Sequence, residues 1–212
     1  MIVQGSEEWK RQRIGKITAS RFEDAIKEPR SKAARDAGVL SDTAESYLCE
    51  LVWEVLAEQP REIYPTVAMR WGTDHEAEAR ECYEAKNSVE VVEVGFVTLP
   101  GTNIGCSPDG LVGEDGGIEI KCPFGPVEHT KAMRRNEVPK QYKWQIAGAM
   151  FVTGRKWWDF VSYDPRIPNT ANAIHVIRVH RDEQDMDELE EKLMAFDAML
   201  KKEIERRVDR TL

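Results

Sequence analysis

The sequence predicts an α/β (α+β) fold, a central mixed β-sheet flanked by helices, on three observations. Apolar residues recur at helical spacing from 41 to 59. The period drops to two between 89 and 122. From 139 onward, helix-like and strand-like segments alternate up to a long final helix at 183–208.

In chain order, residues 6–28 read as one or two short helices. Ser41 stands where a helix cap belongs, and Ala44, Tyr47, Leu48, Leu51, Val52, Val55 and Leu56 follow at i, i+3, i+4 intervals to about residue 59. A further helix is expected over 67–86. Val89, Val91, Val92, Val94, Phe96 and Val97 suggest a strand with a bulge. The segments 103–107 and 117–122 read as paired strands joined by the turn Gly113-Glu114-Asp115-Gly116-Gly117. Pro139 in a first turn and Gly154 past the last bracket a helix over 139–152. Strands follow at 156–163 and 173–181, and Met186, Leu189, Leu193, Phe196, Leu200 and Ile204 give the last helix one apolar side. The chain reads as one domain over 1–212, with 183–212 a C-terminal helix packed on the core or at an interface.

With 41% hydrophobic and 32% charged residues, the composition is that of a soluble globular protein with enough apolar surface for a core. No apolar run approaches the roughly 20 residues of a membrane helix. Met1-Ile2-Val3-Gln4-Gly5 is not a signal peptide, so a cytoplasmic protein without a membrane partner is expected. Cys49, Cys82, Cys106 and Cys122 lie far apart with no Cys-x-x-Cys pair, which argues against a structural zinc or iron–sulfur site; they read as small core residues in a reducing compartment.

The net charge of −8 is unevenly spread. Residues 1–40, 121–143 and 144–181 carry net +3, +4 and +3, against −9 over 41–100, −4 over 101–120 and −5 over 182–212. Basic stretches thus flank an acidic centre, and a phosphate backbone can be gripped locally while the rest of the surface repels it. Ordinary charge scatter gives the same numbers.

The chemistry concentrates in Ser107-Pro108-Asp109-Gly110-Leu111 and Gly117-Ile118-Glu119-Ile120-Lys121. Glu119 and Lys121 are two apart on a strand and share a face, with Ile118 and Ile120 turned into the core. Two carboxylates that hold a divalent cation, with a lysine facing the same spot, are a minimal apparatus for hydrolysing a phosphodiester. An exposed polar face on an amphipathic hairpin is the plain alternative. Glu76, in Trp71-Gly72-Thr73-Asp74-His75-Glu76, stands mid-helix and can reach the same metal or simply be a solvated helix acid; His75 reads more readily as a surface or capping histidine than as a ligand. In Arg13-Ile14-Gly15-Lys16-Ile17-Thr18-Ala19-Ser20, Thr18 and Ser20 can line a helix start that welcomes an anion, with Arg13 completing a phosphate pocket, or they can be a plain cap. Gln141 and Gln145 are four apart beside Trp144, placed to touch a nucleotide or to form a helix's polar side. Arg166, after Tyr163-Asp164-Pro165, is a phosphate contact or a surface charge.

These segments, in this order, resemble the lambda-exonuclease family of viral and prophage alkaline nucleases, within the Pro-Asp…(Asp/Glu)-x-Lys superfamily with its restriction-endonuclease-like nuclease core. The similarity runs from about Trp9 to Arg181 through Trp9, Arg13–Ser20, Pro29-Arg30-Ser31, Trp71-Gly72, Glu76, Cys106–Leu111, Glu119–Phe124, Gln145 and Tyr163–Arg166. The resemblance implies a Mg²⁺-dependent, processive 5′-to-3′ exonuclease on linear double-stranded DNA. Such an enzyme releases mononucleotides, leaves 3′ overhangs for strand annealing, works as a ring-shaped homotrimer (a toroid), and acts with a single-strand-annealing recombinase. Carried over to this chain, Asp109, Glu119 and the carbonyl of Ile120 bind metal, Glu76 assists at a second ion, and Lys121 orients or deprotonates the attacking water; Mn²⁺ can replace Mg²⁺. Arg13, Ser20, Ser107 and Gln145 form the 5′-phosphate pocket, Arg30 contacts DNA, and Met69 stands where the family places an apolar strand-separating wedge. An endonuclease of the same superfamily and a non-catalytic DNA-end-binding protein are the alternatives.

Overall fold

The computed structural model describes residues 2–208. Ser6 opens α1 (Glu7–Gln12), its hydroxyl accepting from the Trp9 N–H at 3.2 Å. A two-residue strand, β1 (Ile17–Thr18), a 3-10 turn (Ala19–Arg21) and α2 (Phe22–Ala25) follow. The expectation of helices alone over 6–28 missed β1, because two residues are too few to show a period. After α3 (Lys32–Asp36) comes α4 (Asp42–Ala57), with the Ser41 hydroxyl accepting from the Ala44 N–H as expected. Its stripe from Ala44 to Val52 is buried, while Leu56 at the far end is 50% exposed. α5 (Val67–Asn87) starts at a Thr66 cap and closes on Ser88, whose φ of 52° is left-handed.

Where one central sheet is expected there are two, both mixed. β2 (Val91–Val92) and β3 (Val97–Thr98) split the expected 89–97 strand between them. β4 (Ile104–Cys106) joins β3 antiparallel and β1 parallel in a three-stranded sheet ordered β1-β4-β3. The expected pairing of 103–107 with 117–122 is therefore wrong. Pro108 has no N–H to give a ladder, and at 107–109 the chain leaves one sheet for the other. β5 (Gly110–Val112) is the true antiparallel partner of β6 (Gly116–Lys121), with Gly110 opposite Ile118. The second sheet is ordered β2-β5-β6-β7-β8, with β7 (Trp157–Tyr163) parallel to β6 and β8 (Ile174–His180) antiparallel to β7.

Between β6 and β7 lie α6 (Pro126–Arg135), a 3-10 turn (Lys140–Tyr142) and α7 (Lys143–Thr153), which ends on left-handed Gly154 as expected. α6 has no counterpart in the expected elements; it is short, and only His129 and Ala132 of it are buried. After α8 (Thr170–Ala173) and β8, α9 (Glu183–Val208) lays Met186, Leu189, Leu193, Phe196 and Leu200 into the core against α4 and α7. Residues 209–212 of the expected tail lie outside the described residues. Asp197 of α9, itself buried, accepts from the Asn103 backbone at 3.1 Å and side chain at 3.0 Å, anchoring the turn that leads into β4. Among the described residues no helix is long and apolar enough to cross a membrane.

The two faces of the five-stranded sheet carry separate cores. Trp158 and Phe160 join α2, α4, α7 and α9, while Val161 and Tyr163 join Ile118, Ile120 and α5, as strand alternation requires. Gly148 of α7 lets the segment bearing Thr18 and Ser20 close on the helix bearing Gln145. A Cβ there would meet the Phe22 ring at 2.3 Å, and Phe22 is fully buried. Gly148→Ala is expected to destabilise by about 1–3 kcal/mol through overpacking, read as a lower melting temperature; an unchanged melt would mean that Phe22 has room to move.

Candidate active site

Asp109 sits in the crossing between the sheets, and β6 presents Glu119 and Lys121 on the face turned to α7. Glu119 is 2% exposed, so it is no member of an exposed polar face. Its Oε1 accepts from Gln145 Nε2 at 2.6 Å and pairs with the Lys121 ammonium. Asp109 Oδ2 accepts from the Ile120 N–H at 2.6 Å, a bond that pins the loop to the strand. Glu76 of α5 pairs with Arg80 at 3.1 Å, and Arg80 also pairs with Glu93 at 3.0 Å.

The electrostatics of this group are crowded. Burial, then the charge of Asp109, pushes Glu119 up to about 7, and the same two causes push Glu76 up to about 7. Burial also raises Asp109. Burial alone would lower the Lys121 ammonium, but Glu119 and Asp109 outweigh it and hold it above the ordinary lysine range. Four acids (Glu76, Glu93, Asp109, Glu119) thus face two cations. All-oxygen donors with surplus negative charge fit a hard divalent cation such as Mg²⁺ or Mn²⁺. The acids are not gathered for one in advance: among the described residues no three His, Cys, Asp or Glu groups stand together closely enough to hold a metal ion.

Beside the acids lies a cavity of about 180 Å³ lined by Gln4, Trp9, Arg13, Thr18, Ser20, Ser107 and Gln145 together with Asp109, Glu119 and Lys121. Ser20 arrives on the 3-10 turn after β1, its hydroxyl 3.3 Å from that of Thr18. The Arg13 guanidinium lies 4.0 Å over the Trp9 ring. Among the described residues no carboxylate pairs with it, whereas Arg21 pairs with both Asp24 and Glu50. Burial pulls Arg13 below the ordinary arginine range. Glu54 opposes this from beyond ion-pair distance. A half-buried guanidinium with no carboxylate in contact among the described residues, surrounded by hydroxyl and amide donors, is suited to an anion that comes from outside. A slightly larger cavity of about 200 Å³ lies between α7 and the start of α9, lined chiefly by apolar groups such as Val138, Ile146, Met150 and Met186. Asp182, Asp185, Lys140, Lys143 and His180 stand among its lining residues, but Lys143 already pairs with Asp185 at 2.8 Å and the cavity contains none of the Asp109, Glu119 and Lys121 set, so the site belongs to the smaller one.

The structure brings Asp109, Glu119, Lys121, Arg13, Ser20, Ser107 and Gln145 to one cavity, with Glu76 coupled to it by charge. Arg30 and Met69 do not line it; both are exposed, Met69 at 48%. Gln141 is exposed on the 3-10 turn and shares no helix face with Gln145. His75 packs on Trp71 with centroids 4.2 Å apart, and its Nδ1 is 3.5 Å from Glu78. Cys106 and Cys122 are buried, but Cys49 is exposed rather than a core residue; all four thiols are free. Gln4 and Trp9 as lining residues were missed, since neither stands within 90 residues in sequence of the loop it touches.

Arg166 does not line the cavity, and it is no loose surface charge. Its Nε and Nη2 donate to Asp164 at 2.7 and 2.8 Å, its Nη1 and Nη2 donate to the carbonyls of Phe124 and Pro123 at 3.0 and 3.4 Å, and it lies 5.0 Å over Trp71. It thus ties the end of β6 to the helix that carries Glu76. Arg166→Ala leaves the Asp164 carboxylate, 3% exposed, without its main partner. A loss of about 1–3 kcal/mol is expected, visible as a lower melting temperature; a variant that melts like the parent would show that the clamp is dispensable.

Residues 8–156 match the model of the YqaJ-like viral recombinase domain. The crystal structure of an alkaline exonuclease, LHK-Exo, from Laribacter hongkongensis is similar at 35% identity and a TM-score of 0.83, covering 97% of this chain and 98% of that one. LHK-Exo in complex with dAMP is similar at 34% identity and a TM-score of 0.84, covering 98% and 100%. A phage-related exonuclease from Haemophilus somnus 129PT shares the fold at 20% identity and a TM-score of 0.69, covering 93% and 96%. No curated protein matches the chain.

Proposed function

The chain belongs to the YqaJ-like viral recombinase domain family, and from that membership and the site we propose a divalent-metal-dependent exonuclease acting on linear duplex DNA. It digests one strand processively from the 5′ end, releases 5′-mononucleotides and leaves a 3′ overhang. The observation that carries this reading is the shared cavity, in which Arg13 and its neighbouring donors stand against Asp109, Glu119 and Lys121. The similarity to an alkaline exonuclease, and to its complex with a 5′-mononucleotide, supports the same chemistry.

In this reading Arg13, Ser20, Ser107 and Gln145 hold the terminal 5′-phosphate. Gln145 serves both ends of the site, because its amide already reaches Glu119. Asp109, Glu119 and the Ile120 carbonyl would hold a Mg²⁺ or Mn²⁺ ion, and Glu76 would assist at a second. A cation bound there supplies a nucleophile at neutral pH and stabilises charge developing on the phosphodiester and its leaving oxygen. Lys121 orients the attacking water. Each cut exposes a new 5′-phosphate, whose capture at Arg13 draws the strand forward. The family resemblance supports the rest of the proposal: a single cytoplasmic nuclease domain, a homotrimeric ring around the DNA, Arg30 as a DNA contact, Met69 as the wedge, and a single-strand-annealing recombinase as partner.

Linear and covalently closed circular duplex, each with Mg²⁺ and with chelator, test the activity. Acid-soluble nucleotides are expected from the linear substrate with Mg²⁺ alone. Cutting of the circle would make the protein an endonuclease, and no release from either substrate would leave a DNA-end-binding protein.

A further inference from the structure

We infer that Trp9 is a positioning residue for the anion end of the cavity, holding Arg13 in place and turning the Ser107 hydroxyl so that its hydrogen faces the bound phosphate. The inference rests on the reading of that cavity as a 5′-phosphate site. Trp9 itself is fixed by the Ser6 cap on its backbone N–H. Its ring lies under the Arg13 guanidinium at 4.0 Å, with the Phe96 ring 5.9 Å from the same group. An arginine packed on an aromatic ring, with a second ring nearby, keeps its planar fork aimed without a contacting carboxylate among the described residues, so its hydrogen-bond donors stay available.

The second contact is directional. The indole N–H can only donate, and it donates to Ser107 Oγ at 3.0 Å. A hydroxyl that accepts at its oxygen still has one hydrogen to give, and among the described residues no protein acceptor takes it. Ser107 lines the cavity two residues before Asp109, so that hydrogen is left for a ligand in the cavity. A single side chain therefore organises two of the four phosphate donors, one from the residue that ends α1 and one from the loop that crosses between the sheets.

Phenylalanine at position 9 keeps a ring under Arg13 and removes the N–H. The test compares cleavage of two linear duplexes, identical except for a 5′-phosphate or a 5′-hydroxyl, by the wild type, Trp9→Phe, Ser107→Ala and the double variant. A wild-type preference for the phosphorylated end establishes the cavity reading. Trp9→Phe is expected to lower that preference about five- to tenfold, the size of one well-placed hydrogen bond, mainly through KM. The rate on hydroxyl ends should fall several-fold less than the rate on phosphorylated ends. In the Ser107→Ala background the same change should have little further effect, because its target is gone. If the wild type shows no preference, the cavity reading falls and this inference with it. The inference alone is overturned if the wild type has the preference and Trp9→Phe keeps it, slows both ends equally, or weakens it as much without Ser107. Trp9→Tyr, run alongside, supplies a second ring without the indole N–H should Trp9→Phe lose its fold, which melting would reveal.

Discussion

Lys121→Ala is expected to slow nucleotide release by about three orders of magnitude, the scale of losing one preorganised charge and its water-orienting contact. Binding of duplex ends should change by no more than about threefold, since the donors that hold the phosphate are other residues. Single-turnover release with Mg²⁺, and binding of fluorescent duplex in Ca²⁺, measure the two separately. The variant carries a structural signature as well. Glu119 is 2% exposed and would keep only Gln145 as a partner. A buried acceptor that loses its charged partner costs about 1–3 kcal/mol, so the variant should melt lower in chelator and recover part of the difference in Mg²⁺. Digestion at the parental rate would remove Lys121 from the chemistry.

Arg13→Ala has the second-largest effect, and its sign differs between function and stability. A charge-assisted hydrogen bond contributes about 1.5–3 kcal/mol, so kcat/KM on 5′-phosphorylated ends should fall about ten- to a hundredfold, with far less change on hydroxyl ends. The melting temperature should stay level or rise. The substitution removes a half-buried cation that burial disfavours more than the charge of Glu54 favours it, and that no carboxylate contacts as an ion pair among the described residues. Arg21→Ala is the contrast, because it breaks the pairs to Asp24 and Glu50 and should melt lower. A loss of stability in Arg13→Ala with an unchanged end preference would make Arg13 a structural residue.

How much was legible in the sequence follows from how local each signal is. α4 and α9 announce themselves, because a helical stripe from Ala44 to Val52 and from Met186 to Leu200 repeats at a fixed spacing. Gly154 marks the end of α7 because its left-handed turn suits glycine. β1 was not legible: two residues pair with β4 some 87 positions later, and nothing near Ile17 records that. The choice of partner for β6 was misread because two strand-like segments lie upstream of the turn. Only the crossing at Pro108 separates the one in the other sheet from the true neighbour, β5.

The site divides the same way. Asp109, Glu119 and Lys121 follow from residue chemistry on one hairpin; Arg13, Ser20 and Gln145 were candidates from their residues with plain alternatives, and Ser107 came from family resemblance. The contacts that orient them are long-range: Trp9 to Ser107 spans 98 residues and Arg166 to Phe124 spans 42. Asp164-Pro165-Arg166 looks like a plain turn until its carbonyl partners are seen. The resemblance marked Trp9 as a position; its geometry supplied a reason.

The most direct test of the central claim is a time course on one linear duplex bearing a single 5′-phosphorylated end, with distinct labels on the 5′ and 3′ termini of that strand. With Mg²⁺, the 5′ label should leave first as a mononucleotide, and the 3′ label should stay with a shortening strand. Early loss of the 3′ label, or internal fragments carrying both an intact 5′ end and a new 3′ end, would contradict it.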